Sequence, residues 1–238
     1  MPLPPALAAA FVALALATAG LFVLGVRSAP VSGDRPAART SATRLALAAA
    51  LVALGVSGVL AQSGVLADVD ARPPAAALML GAFGAGSVAL AFSRVGDRLL
   101  AWPLGVLVGF QAFRIAVEAL LFAAYGAGAV PVEMTFAGHN FDIATGVLAA
   151  GIGVWAARGT VPRWVVAAWN GLGLTLLVVV VGIAATSAFG FVETTPRLTL
   201  PTMWPGVWLP AWLVQLALFG HVLVFRALRR MPGARQPS

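Results

Sequence analysis

Residues 99–124 read LLAWPLGVLVGFQAFRIAVEALLFAA, an apolar run long enough to cross a bilayer that nevertheless carries Arg114 and Glu118 near its middle. Placing an arginine or an acid at the centre of a lipid-exposed span costs about 2.5–3.5 kcal/mol each. Arg114 must therefore face protein or water rather than lipid, and the helix that carries it needs neighbours. Gln111, Arg114 and Glu118 follow i, i+3, i+7 spacing, which puts them on one helical face over roughly 10 Å of depth. A polar stripe of this kind predicts a helix whose inner face looks into a bundle.

Working outward, apolar runs of spanning length lie at about 5–26, 45–62, 75–93, 99–124, 140–157, 163–186 and 208–228. The expected fold is all-α: a polytopic membrane protein built as a bundle of seven transmembrane helices, with residues 1–238 forming a single transmembrane domain. The third run is the weakest, because its GAFGAG stretch (Gly81, Gly84, Gly86) lowers helix propensity; small residues there, and in the Gly105–Gly109 GxxxG, would let neighbouring helices approach closely. The first run has no basic residue before it and exceeds the length of a signal peptide's apolar region, so it is expected to be a retained span.

Arginine placement tests the count independently. Twelve of the fifteen arginines fall in the odd-numbered loops and the tail: Arg27, Arg35, Arg39 and Arg44; Arg94 and Arg98; Arg158 and Arg163; Arg226, Arg229, Arg230 and Arg235. The even-numbered loops hold only Arg72 and Arg197, beside Asp68, Asp70, Glu133 and Glu193. The positive-inside rule then places the N-terminus outside and the C-terminus in the cytoplasm, as a multi-pass protein of a bacterial inner membrane. Loop six, rich in Pro, Thr and Trp, suits an extended segment along the outer interface.

Composition agrees with this class and excludes others. The chain is 61% hydrophobic and 10% charged, with a mean hydropathy of +0.95, so most of its surface must meet something apolar, and the lipid bilayer is its expected partner. The net charge of +7 does not point to nucleic acid, since the arginines flank apolar runs instead of forming one basic face. Absence of cysteine removes thiolate chemistry. All fifteen basic residues are arginine, which excludes a Schiff base to retinal or pyridoxal phosphate.

The richest polar supply for Arg114 is PVEMTFAGHNFDIATG, residues 131–146, where Glu133, Thr135, His139, Asn140, Asp142 and Thr145 crowd the entrance to the fifth run. Arg114 and Glu118 form the weaker order of an i, i+4 pair, so another partner is expected. Arg114, Glu118, Asn140 and Asp142 are expected to form one connected network. An ion pair could serve only to fix helix register. Against that, three carboxyls (Glu118, Glu133, Asp142) face one arginine, and excess acid in a low-dielectric site implies a shared proton, a bound cation or a cationic ligand. Gln111, Arg114, Glu118, Glu133, Thr135, His139, Asn140, Asp142 and Thr145 are the candidate ligand-binding or proton-relay residues.

Asn170 and Gln215 read as interhelical hydrogen-bond glue, and His221 as a core histidine, proton carrier or haem ligand; these three are secondary candidates. A bis-histidine haem would need His139 and His221, but His139 sits at the outer mouth and His221 about twelve residues into the last run, roughly 18 Å deeper at helical rise. No metal-ligand or HExxH spacing occurs.

The strings QAFRIAVEALL, PVEMTFAGHNFDIATG, AWNGLGL and WLPAWLVQLALFGHVL, within residues 103–226, resemble an uncharacterised group of bacterial seven-helix membrane proteins with QxFRxxVE and MTFxGxNFDI motifs. The resemblance implies the fold and the location of the site, and no activity. It also implies that the His139 position often holds arginine, which speaks against a ligand role for that residue.

The leading functional expectation is a protein that binds, and translocates, a proton, a cation or a small polar molecule through the Arg114, Glu118 and Asp142 network. Two other classes compete with it. One is an intramembrane enzyme on a lipid-borne substrate with Glu118 or Asp142 as general acid or base, although no nucleophile stands out. The other is an accessory or assembly subunit that docks a membrane-complex partner, or a second copy of itself, through small-residue faces.

Overall fold

The structure, a computed structural model, describes residues 3–188 and 191–230; Arg235 of the tail lies outside them. The chain is all-helical, 76% helix with no strand among the described residues. Among the described residues, five helices are long and apolar enough to cross a membrane: Pro5–Arg27 (α1), Pro36–Gln62 (α2), the composite Leu104–Gly126, Arg163–Ala188, and the composite Leu209–Arg230. Two more, Ala75–Ala91 (α3) and Asp142–Arg158, have 17 residues each.

The boundaries differ from the apolar runs where local chemistry intervenes. α2 begins at Pro36, well before Leu45, because proline suits the first turn and Arg39 and Arg44 ride on solvated helix ahead of the apolar part. The run 99–124 is broken. Leu99 closes a short helix, Arg94–Leu99 (α4), capped by the Ser93 hydroxyl, and a new helix starts at Leu104. Pro103 explains the break, since it has no N–H and disfavours helical backbone at the residue before it. From there Leu104–Gly109 (α5) passes through a 3₁₀ turn, Phe110–Ala112, into Phe113–Gly126 (α6). Asp142–Arg158 is α7 and Arg163–Ala188 is α8. A π turn over Leu209–Leu213, which contains Pro210, leads into Val214–Arg230 (α9).

α9 is the central element. Most of its composite helix is buried, where the other four long helices are mostly not, and it packs on α3, α5 and α8. Indole donors tie its start to the first two helices: Trp212 Nε1 donates to Thr18 Oγ1 (2.9 Å) and Trp208 Nε1 to the Leu54 carbonyl (2.9 Å). The Gly105–Gly109 motif does bring helices together, with Gly105 set against Ala156 and Gly109 against Gly153 of α7. GAFGAG behaves differently: Gly81 and Gly86 have open space beside them. Large apolar side chains such as Leu51, Val59 and Val178 stay exposed around the bundle, as a lipid-facing surface requires.

Arginine-rich ends of α1, α2, α4 and α9 converge at one end of the molecule, fastened by two acids. Arg98 grips Asp34 through both terminal nitrogens (2.6 and 3.0 Å) and donates to the Val26 carbonyl, while Arg39 Nε reaches Asp34 at 2.7 Å. Arg226 and Arg230 meet Asp97 at 2.7 and 3.1 Å, with Arg226 also lying over the Phe92 ring. Hydrogen bonds from Arg98, then Arg39, hold the Asp34 carboxyl down from the usual 3.8 to about 2. A carboxyl depressed in the folded state contributes stability above its ordinary value and loses it as pH falls through the lowered one. The loop at Asp34 should therefore loosen as pH drops from 3.8 toward about 2. A spin label on Ser32→Cys, unique because the chain lacks cysteine, should show that mobilisation, and Asp34→Asn should abolish its pH dependence.

Candidate functional site

The polar stripe of the 3₁₀ turn and α6 points inward: Gln111, Arg114 and Glu118 are buried, the last two at 2% and 1% exposure. The segment between α6 and α7 curls over them. Its 3₁₀ turn Val132–Met134 ends at Thr135, whose hydroxyl donates to the Val132 carbonyl (2.8 Å), and the next backbone turn passes so close to Val132 that only Gly138 fits there. That fold brings Asn140 down onto Glu118. The Asn140 amide donates to both Glu118 carboxylate oxygens (2.9 Å each) and to the Met134 carbonyl (3.0 Å), and its Oδ1 accepts from the Asp142 backbone N–H (3.1 Å).

Asp142 is the first residue of α7, where the helix dipole favours a carboxylate. It pairs with Arg114 through two parallel hydrogen bonds, Nε to Oδ2 at 2.7 Å and Nη2 to Oδ1, the bidentate geometry that suits guanidinium best. Arg114 then reaches across to two further helices. Nη1 donates to His221 Nε2 on α9 (2.6 Å), and Nη2 approaches the Gly173 carbonyl on α8 (3.5 Å).

This contact determines the state of the histidine. Arginine has only donors, so Nε2 must accept, and the proton of a neutral imidazole then sits on Nδ1. Nδ1 faces Asn170 Oδ1 at 2.8 Å, while the Asn170 amide donates to the His221 carbonyl (3.1 Å). Trp169 lies beside the imidazole, ring centroids 5.4 Å apart, and donates to the Thr145 carbonyl (3.0 Å). Glu118, Asn140, Asp142, Arg114, His221 and Asn170 thus form one hydrogen-bonded chain from α6 through α7 to α9 and α8.

Other candidates fall outside that chain. Gln111 donates weakly to the Ala217 carbonyl (3.4 Å), and its Oε1 is buried without a partner, as are Thr145 Oγ1, Glu133 Oε2 and Gln215 Oε1. Gln215 donates to the Pro210 carbonyl (3.0 Å), and its Oε1 lies toward Gly84 of α3. His139 is exposed, and Thr135 serves its own turn. Glu133 is half-buried and makes no side-chain hydrogen bond to the group, so the group holds two carboxyls, Asp142 on Arg114 and Glu118 on Asn140, where the sequence suggested three. The loop's curl is the reason, as it delivers Asn140 rather than Glu133 to α6. Arg114 and Glu118 do not bridge each other directly.

Asn170 and His221 are the residues whose tie to Arg114 sequence reading missed. A signal existed: Arg114 and His221 both lie mid-run, so matching depths would have paired them. Both ring nitrogens of His221 are engaged, which leaves neither for a haem or metal. Among the described residues, no three His, Asp or Glu side chains gather as a metal site.

Electrically the group is unbalanced. One guanidinium faces two carboxyls, Asp142 and Glu118, with a neutral imidazole beside them, all buried. Next to it lies a cavity of about 380 Å³ between α3, α6, α8 and α9. Arg114, Glu118 and Asp142 line one part of its wall, and Leu177, Val181 and Ala184 of α8 belong to its apolar remainder. That volume falls within the range of about 300–1,000 Å³ common for small-molecule sites. Compared with family models, with curated proteins and with solved structures, the chain matches none.

Proposed function

We propose that this is a seven-span membrane protein, N-terminus out and C-terminus in, that binds a proton, a cation or a small polar molecule at Glu118 and carries it through the Arg114 network. The convergence of Arg39, Arg98, Arg226 and Arg230 at one end supports the orientation, because arginine-rich ends stay on the cytoplasmic side. α3 and α7, at 17 residues each, supply the two shortest spans at about 25 Å of helical rise.

The observation that carries the functional reading is the surplus carboxyl. A purely structural bridge would need Arg114 and Asp142 alone, yet Glu118 is buried beside them with, among the described residues, only the neutral Asn140 amide as donor. An isolated carboxylate in so dry a place is too costly to persist, so the group holds a proton or a cation there. A site that must hold one, and that opens to a cavity, has what exchange requires.

The test is flux into proteoliposomes with an entrapped pH-sensitive or cation-sensitive dye. Glu118→Gln keeps one of the two Asn140 hydrogen bonds and removes the charge, and it should lower proton or monovalent-cation flux at least about tenfold, a difference of about 1.4 kcal/mol. Flux unchanged in both Glu118→Gln and Asp142→Asn would exclude the reading.

A further inference from the structure

We infer that the cavity is a binding site for a cationic amphiphile: an aliphatic body lying along α8 with a protonated amine seated on Glu118. This rests on the proposed role of Glu118 and names the class of molecule that the site takes.

Three observations select that class. First, the walls are apolar. Leu177, Val181 and Ala184 of α8, Met79 and Gly81 of α3 and Leu213 ahead of α9 line the space, so the body of an occupant must be hydrocarbon. Second, the space reaches the lipid-facing surface. Ala77 and Gly81 line it and are also exposed on α3, and with no side chain at Gly81 nothing occupies the gap there. A molecule dissolved in the bilayer can enter sideways.

Third, charge decides the head. Arg114 has committed both edges, to Asp142 and to His221 and Gly173, so it offers no fork to a carboxylate or phosphate. Glu118 is the opposite case. A carboxylate has about four acceptor positions, and among the described residues the Asn140 amide group is its only hydrogen-bond donor. An ammonium head would supply the missing donors and replace the proton that otherwise neutralises Glu118, whereas an anionic head would bring further negative charge beside a guanidinium already committed to Asp142.

The experiment uses the full chain in nanodiscs with nitroxide-labelled dodecylammonium, compared with labelled dodecyl sulfate of the same chain length and with methylammonium. Dodecylammonium should show one saturable immobilised population per chain, absent for dodecyl sulfate and weakened at least about tenfold in Glu118→Gln. Ala184→Trp, which fills the cavity without touching the charged group, should weaken it to a similar degree. Equal immobilisation of the sulfate, or binding indifferent to both substitutions, would overturn the proposal. Methylammonium competing as well as unlabelled dodecylammonium, with flux still dependent on Glu118, would also overturn it while leaving the proton or cation reading intact. Flux indifferent to Glu118→Gln removes that reading instead.

Discussion

Arg114→Leu is expected to destabilise the protein by about 3–5 kcal/mol, because removing one partner of a buried ion pair leaves the other charge uncompensated. Here it leaves two carboxyls, Asp142 and Glu118, without a cation, and His221 Nε2 without a donor. The asymmetry with Asp142→Asn is the sharper expectation. Losing Asp142 leaves Arg114 beside Glu118, which can release its proton and become the counter-charge within the same buried cluster, so its cost should be clearly smaller. Ordinary reasoning from a single salt bridge would make the two substitutions equal. Equilibrium unfolding in mixed detergent checks this directly, and equal losses would mean that Glu118 does not contribute charge to the group.

Gly173→Val is the second large effect. A β-carbon at Gly173 would lie 2.5 Å from His221 Cε1 and 2.6 Å from Thr145 Cγ2, closer than real atoms approach. α8 would have to move away from α7 and α9, and the imidazole away from Arg114, at a cost of about 1–3 kcal/mol for the overpacking alone. Gly171, two residues earlier in the same WNGLG stretch, has open space beside it, so Gly171→Val should be nearly silent. Thermal unfolding of the two variants separates close approach from any general effect of losing a helical glycine. Loss of stability in Gly171→Val equal to that in Gly173→Val would contradict the packing described.

How much of this was legible beforehand follows from what each feature depends on. Arg114 inside an apolar run announced an interior face by itself, since lipid cannot accept it. Asn140 and Asp142 were legible as partners because they enter the next helix at the depth of Glu118. The break at Pro103 follows from a rule about proline, though hydropathy alone runs through it. Asn170 and His221 were readable as polar, and the mid-run depth that His221 shares with Arg114 was the one pointer to the group, since nothing in their own spans says which neighbour each faces. Glu133 was misplaced for a related reason: whether a loop presents residue 133 or residue 140 to a helix depends on a turn at Thr135 and Gly138, not on proximity in sequence. Asp34 and Asp97, which fasten the arginine-rich end, went unread because charge counting weighs arginines and passes over lone acids among them. The cavity was invisible, since it consists of side chains that are small, at Gly81 and Ala184, rather than of any that are present.

On the proposed reading, Glu118 is never a bare, uncompensated carboxylate. Infrared difference spectroscopy of the reconstituted protein, recorded at neutral pH with and without an added ammonium ligand and repeated for Glu118→Gln, addresses it most directly. A protonated-carboxyl C=O band is expected that Glu118→Gln deletes, and that the ligand converts to a carboxylate signal in the wild-type protein. A Glu118 signal that is ionised without any bound cation, and indifferent to ligand, would contradict that reading.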